Sequence, residues 1–195
     1  MNSERLFKAI QYAARAHEKQ KRKGNNPAPY ITHPFFVGME LIRLGCDENT
    51  VIAGILHDTL EDTFLSKEII EKEFGAEVLN LIEAVTEPKN LNMTKVEKRR
   101  TWQFRKEAYL EQLKVASAES KAIACVDMLA NMLEFKHTLK DLGADALKLF
   151  NVDIESKLRH WQEEIDLLAK DKNCPYLKII PDLRNMLMEL HNSRV

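Results

Sequence analysis

Val51-Ile52-Ala53-Gly54-Ile55-Leu56, followed directly by His57-Asp58-Thr59-Leu60-Glu61-Asp62, is the stretch on which the reading of this chain turns. Six apolar residues run into a window holding four side chains that bind metals or move protons. On a helix, His57 and Glu61 stand four residues apart, Asp58 and Glu61 three, and Asp58 and Asp62 four, so all four line one end of one helix. An imidazole beside a carboxylate suits a divalent ion such as Mn, Fe, Zn or Co. The carboxylates one turn on are spaced to take protons from an activated water. Polar residues after an apolar helix are more often a solvated helix end, so the metal reading depends on the rest of the chain.

The chain has 195 residues, 45% hydrophobic and 30% charged, an ordinary balance for a globular protein. That length suits one domain, which buries roughly 70% of its unfolded surface. Gly and Pro are scarce at six each, and β-branched alternation is rare, so the expected fold class is all-α. A formal net charge of −1 provides no global field for nucleic acid or a membrane surface, and neither is expected as a partner. Cys46, Cys125 and Cys174 are widely spaced with no CxxC, which argues against a disulfide framework and fits a reducing, cytoplasmic setting. The first residues lack the apolar run of a signal peptide, and no stretch approaches 18 apolar residues.

Ser3 is placed to cap a first helix to about residue 20, with Leu6, Ala9, Ile10, Ala13 and His17 on its inner face. His17 there reads as a packed core histidine. A basic run, Lys19, Lys21, Arg22 and Lys23, leads through the turn cluster at 24–27 to Tyr30-Ile31-Thr32-His33-Pro34. Thr32 is a candidate cap, Pro34 suits a first helical turn, and His33 falls at a helix start. That helix ends at Gly45. Asp47 caps the helix predicted to carry His57 through Asp62, Ser66 caps the next, and Gly75 separates it from one through Val85.

Residues 87–98 are weakly patterned and read as a mobile loop or lid. The helix after them carries Trp102, Arg105 or Lys106, Tyr109 and Leu113 on one stripe. Lys95, Lys98, Arg99, Arg100, Arg105 and Lys106 oppose only Glu97 and Glu107 there, so the region is either a solvated basic face or an attractor for an anionic substrate. Ser117 opens a strongly apolar helix interrupted by Asp127, with Asn131 one turn on. A buried carboxylate needs a partner. Two further helices, at about 144–169 and 180–192, are expected to pack.

His33, His57, Asp58 and Asp127 thus fall on three predicted helices in apolar surroundings. One two-histidine, two-aspartate metal site accounts for all four, with positions left for water and a phosphate oxygen. On these residues the chain resembles the HD metal-dependent phosphohydrolase superfamily, and within it the (p)ppGpp (alarmone) hydrolases of Rel/Spo type in their small stand-alone form. RKGNNPAPYITHP, AGILHDTLEDT, FGAEVLNLIEAVTEP and ACVDMLANM carry the resemblance, which covers about residues 5–170.

The resemblance implies an all-α HD-domain helical bundle, one domain over 1–195 with a core at about 5–170 and a helical extension at about 171–195. It implies one divalent ion, typically Mn²⁺, held by His33, His57, Asp58 and Asp127. Glu61 and Asp62 are expected to orient or activate the water, and Arg22, Lys23 and Asn131 to contact a small-molecule nucleotide. The implied reaction removes the 3′-pyrophosphate of ppGpp. No synthetase segment is seen, so synthesis is not expected.

The chain departs from the family pattern at Ala124, Met128 and Ala130 around Asp127, and at Ile154 and Leu158 before Trp161. Those changes keep open an HD phosphohydrolase acting on another nucleotide. A non-catalytic nucleotide-binding scaffold is the other alternative, and the complete metal set weighs against it.

Overall fold

A computed structural model describes residues 1–24, 26–88, 93–149, 152–172 and 174–192. Among these residues there is no strand, only an isolated bridge between Lys21 and Pro29, and no helix is long and apolar enough to cross a membrane. The elements that position the site are α1 (Ser3–Ala16), α2 (Thr32–Leu44), α3 (Glu48–Leu56) and α4 (Thr59–Asp62). They are followed by α5 (Lys67–Phe74), α6 (Ala76–Glu83), α7 (Lys95–Arg100), α8 (Trp102–Lys114), α9 (Ala118–Leu142), α10 (Ile154–Leu168) and α11 (Ile180–Asn192).

The centre is α3, whose residues from Thr50 to Leu56 are all buried. It packs on α1, α2, α6 and α9, which explains its continuous apolar run. The helix α9 crosses the middle of the molecule and presents Ile123, Val126, Met128 and Met132 to the core. Each such side chain, fully buried, contributes about 1.5–3 kcal/mol. On its other flank α9 meets α10 and α11, so the C-terminal helices are packed against the same core. The helices α2 and α3 approach closely because Gly38 and Gly54 have no side chains. A Cβ on Gly38 would lie 2.6 Å from Ile55 Cγ1, and one on Gly54 would lie 2.2 Å from Leu41 Cδ1. This contact sets the spacing between His33 on α2 and His57 just beyond α3.

Several expectations are corrected. The cap of α1 is Asn2, whose Oδ1 accepts from the Glu4 amide at 2.9 Å, and α1 ends at Ala16 rather than near residue 20. Thr32 makes no cap; its hydroxyl donates to the Pro29 carbonyl at 2.9 Å. The segment His57 to Asp62 is not part of one continuous helix. The helix α3 stops at Leu56, His57 and Asp58 form a turn, and α4 begins at Thr59. The Thr59 hydroxyl donates to the Leu56 carbonyl at 2.6 Å and satisfies the open end of α3.

The single helix expected over 144–169 is a 3₁₀ segment, Gly143–Leu149, followed by α10. Gly143, at φ +53°, ends α9, and Asp153 caps α10 by accepting from the Ser156 amide at 2.8 Å. The helix expected after residue 98 divides at Thr101 into α7 and α8. Of the loop expected at 87–98, residues 89–92 lie outside the described residues. Its far end is ordered by a capping box, in which Thr94 and Glu97 bond reciprocally to open α7.

Candidate metal centre and nucleotide cleft

The histidines come from two different local devices. His33 sits in the first turn of α2, after Tyr30-Ile31, and is buried. His57 follows the apolar α3 and is also buried. Its Nδ1 lies 2.7 Å from the Gly54 carbonyl, so the ring donates there and turns Nε2 toward Asp58 and Asp127. Nε2 of His57 is a buried nitrogen with no hydrogen-bond partner.

The carboxylates close the group. Asp58 Oδ1 is 3.2 Å from His57 Nε2, and Asp58 Oδ2 is 3.5 Å from His33 Nε2. Asp127, delivered by α9, places Oδ1 2.9 Å from His33 Nε2 and 3.5 Å from His57 Nε2. Ligand atoms of His33, His57 and Asp58 lie within 4.8 Å of one another. Both Nε2 atoms face the two carboxylates, so the cluster holds together only with positive charge at its centre, carried by protons on the imidazoles or by a cation. This donor set, two imidazoles and two carboxylates, fits a divalent cation.

The titration behaviour has the same cause. Burial pushes the His57 imidazole down, but Asp58 and Asp127 beside it outweigh burial and hold its pKa well above the usual value. Burial pushes the Asp58 carboxyl up; the neighbouring His57, His33 and the Tyr30 hydroxyl overcome this and hold it well below the usual range. Asp127 is likewise held low against burial by His33 and His57 beside it. These half-buried acids favour a positive charge beside them.

Around this group the structure places the remaining predicted residues unequally. Glu61 and Asp62 line the same cavity, of about 270 Å³, as the four central residues. Glu61 Oε2 accepts from the Glu87 amide at 3.0 Å. Asp62 Oδ2 accepts from the Tyr30 hydroxyl at 3.3 Å, and its carbonyl accepts from Gln20 at 2.6 Å. Asn131 does not stand apart from the centre, because its amide donates to Asp127 Oδ1 at 2.7 Å. Arg22 is bound to Glu134, with Nε 2.8 Å from Oε1, and donates to Asn131 at 3.0 Å. Its guanidinium lies 5.0 Å from the Tyr30 ring centroid. Arg22 and Lys23 border a larger cleft of about 770 Å³, whose walls include Phe36, Leu133 and His137. Lys23 and His33 line both spaces. His17 is a packed histidine, stacked on Tyr30 with centroids 4.5 Å apart.

Sequence reasoning assigned no role to Tyr30. Its hydroxyl donates to Asp58 Oδ2 at 2.8 Å and reaches Asp62 as well. Burial, then Asp58 and Asp62, push its pKa well above the usual value, so it remains a donor. The available signal was its place three residues before His33, one helical turn away. Glu87 was also missed. It is buried, paired with Arg105, and 3.2 Å from Lys106.

The fold and this site are those of a metal-binding helical phosphohydrolase, and the comparisons agree. The HD domain family model matches residues 9–151, so this chain belongs to the HD-domain family. It is 35% identical over 136 residues to the Drosophila melanogaster protein named guanosine-3′,5′-bis(diphosphate) 3′-pyrophosphohydrolase MESH1, covering 69% of this chain and 71% of that one. It is 45% identical over 85 residues to the Aquifex aeolicus guanosine-3′,5′-bis(diphosphate) 3′-pyrophosphohydrolase, but the match spans 44% of this chain and only 12% of that longer protein. A solved structure described as a metazoan ortholog of SpoT that hydrolyses ppGpp superposes with a TM-score of 0.75, at 26% identity, over 97% of both chains.

Proposed function

We propose that this protein is a metal-dependent phosphohydrolase that removes the 3′-pyrophosphate of ppGpp. The observation that carries this is the meeting of His33, His57, Asp58 and Asp127 in one group, beside the Glu61 and Asp62 carboxylates. His33, His57, Asp58 and Asp127 hold one divalent ion, which we assign as Mn²⁺. When bound, such an ion polarises a phosphoryl oxygen and lowers the pKa of water.

In this reading water attacks the phosphorus attached to O3′. The P–O3′ bond breaks, its electron pair stays on O3′, which takes a proton, and pyrophosphate leaves. Glu61 and Asp62 receive the proton of the water, and its return to O3′ balances the step. The Glu87 amide fixes Glu61, and Tyr30 and Gln20 fix Asp62. Tyr30 also orients Asp58. Arg22 and Lys23 face the nucleoside in the cleft of about 770 Å³, large enough for a whole small ligand, and Asn131 contacts the nucleotide from the smaller cavity beside Asp127. Residues 1–195 act as one HD domain, in a cytoplasmic setting, with α11 an extension that braces α9 and α10.

The test is pyrophosphate release from ppGpp with Mn²⁺, beside a panel of other nucleotides. Release abolished by chelator and by Asp58→Ala supports the proposal. Turnover only of another nucleotide would move the substrate and keep the chemistry, an outcome to which Met128 in the cavity wall gives physical grounds.

A further inference from the structure

The wall of the cavity of about 270 Å³ carries both the acids of the metal centre and three basic side chains, Lys106 from α8, Lys157 from α10 and Lys23 from the loop before α2. Lys157 Nζ lies 4.3 Å from the Trp161 ring centroid, and Lys106 Nζ lies 5.6 Å from that of Tyr109. Burial, then repulsion by Lys106 and Lys23, push the Lys157 ammonium down to about 7.

His160 and Glu164 line the same cavity as the lysines. His160 Nε2 and Glu164 Oε2 are 3.4 Å apart and buried. Burial, with Lys106 and Lys157, drives the imidazole down to about 3, and burial drives the carboxyl up to about 8, which favours the neutral form of each. Glu87, 3.2 Å from Lys106, is shared with Arg105. Lys106, Lys157 and Lys23 reach one cavity from separate elements, and the repulsion among them disfavours the charged form of Lys157. An anionic ligand removes that repulsion.

Size decides which part of a nucleotide this is. A volume of about 270 Å³ shared with the metal centre falls below the usual range for a whole small-molecule site, about 300–1,000 Å³. The nucleoside therefore belongs in the larger cleft, and the cavity receives the small terminal group. A diphosphate whose first phosphorus lies at the metal centre extends its second phosphate further into the cavity.

We propose that Lys106 and Lys157 form a subsite for the distal phosphate of the transferred pyrophosphoryl group, so that this chain selects 3′-diphosphorylated over 3′-monophosphorylated nucleotides. The inference rests on the proposed function and adds the specificity determinant for the pyrophosphoryl group that is transferred to water. Neither lysine occupies a position that the family resemblance singled out.

The experiment compares kcat/KM for ppGpp and for guanosine 5′-diphosphate 3′-monophosphate in the full chain and in Lys106→Met and Lys157→Met. Methionine retains the apolar stem that packs on the rings. The preference for ppGpp should collapse by about 10–100-fold in each variant, as expected for a lost hydrogen bond to a charged group. Inhibition by pyrophosphate should weaken by a similar factor, and Lys157→Arg should restore much of both. Metal content and melting temperature, matched to the parent protein, separate this from misfolding. Equal losses on both substrates, with pyrophosphate inhibition unchanged, would overturn the subsite and leave the hydrolase reading intact. A parent protein that turns over neither substrate would overturn the hydrolase reading, and the subsite with it.

Discussion

Replacing Gly54 with alanine tests the idea that the metal centre is built on the close approach of α2 and α3. The added Cβ would lie 2.2 Å from Leu41 Cδ1 and 3.2 Å from Val37 Cγ1. Ordinary carbon contacts are about 3.5–4.0 Å, so the Leu41 methyl must retreat by roughly 1.5 Å. Leu41 and Val37 are fully buried, so the methyl must move within the core. Overpacking of this kind costs about 1–3 kcal/mol. Alanine regains about 1 kcal/mol of helix propensity over glycine. The overlap is severe enough to sit high in the cost range, leaving a net loss of about 1–2 kcal/mol, or roughly 2–8 °C in Tm for a chain of this size.

The same displacement shifts His57, whose ring is anchored on the Gly54 carbonyl, relative to His33. Metal ligands tolerate only about 0.2 Å of error, so Mn²⁺ affinity should fall by roughly tenfold or more. Thermal melts of the apoprotein and calorimetric Mn²⁺ titration read the two effects separately. A variant that melts higher than the parent and binds Mn²⁺ equally well would refute this account of the α2–α3 contact.

Other perturbations bear on the site directly. Asp127→Ala removes the oxygen closest to His33 and should abolish both metal binding and turnover; full activity in that variant would sink the ligand assignment. Glu61→Gln should retain metal by elemental analysis while kcat drops by about 10²–10⁴-fold. Burial holds the Glu164 carboxyl up at about 8, above its unfolded value, so the protonated form stabilises the fold at low pH and that stability is lost as pH rises toward 8. Glu164→Gln should therefore match the parent near pH 5 and exceed it by a few kcal/mol at pH 8, on a limiting slope of about 1.4 kcal/mol per pH unit. Parallel denaturation curves for the two proteins across that range would count against a buried, neutral Glu164.

The helical class was legible because few residues break helices and the apolar periodicity is strong. Asp47, Ser66 and Ser117 cap where their side-chain chemistry says they should, each accepting from an amide three residues on. His33, His57, Asp58 and Asp127 could be nominated from sequence because polar residues inside apolar runs are costly to bury without partners. The break between Leu56 and Thr59 was not legible. Periodicity alone continues the helix through His57, and the turn depends on the Thr59 hydroxyl taking the Leu56 carbonyl. Gly143 and Asp153 mark the break before α10 by a stop and a cap, but both lie close to a stretch whose spacing also suits one helix.

What the sequence determined by itself was local: helix formers, caps, stops, and which side chains carry chemistry. Only the tertiary structure decided which of these meet. Tyr30 joins Asp58 to Asp62, Glu87 reaches Glu61, and Lys106 and Lys157 enter one cavity from helices some fifty residues apart. Such convergence follows from packing between elements distant in the chain. The spacing of residues within any one helix carries no information about it.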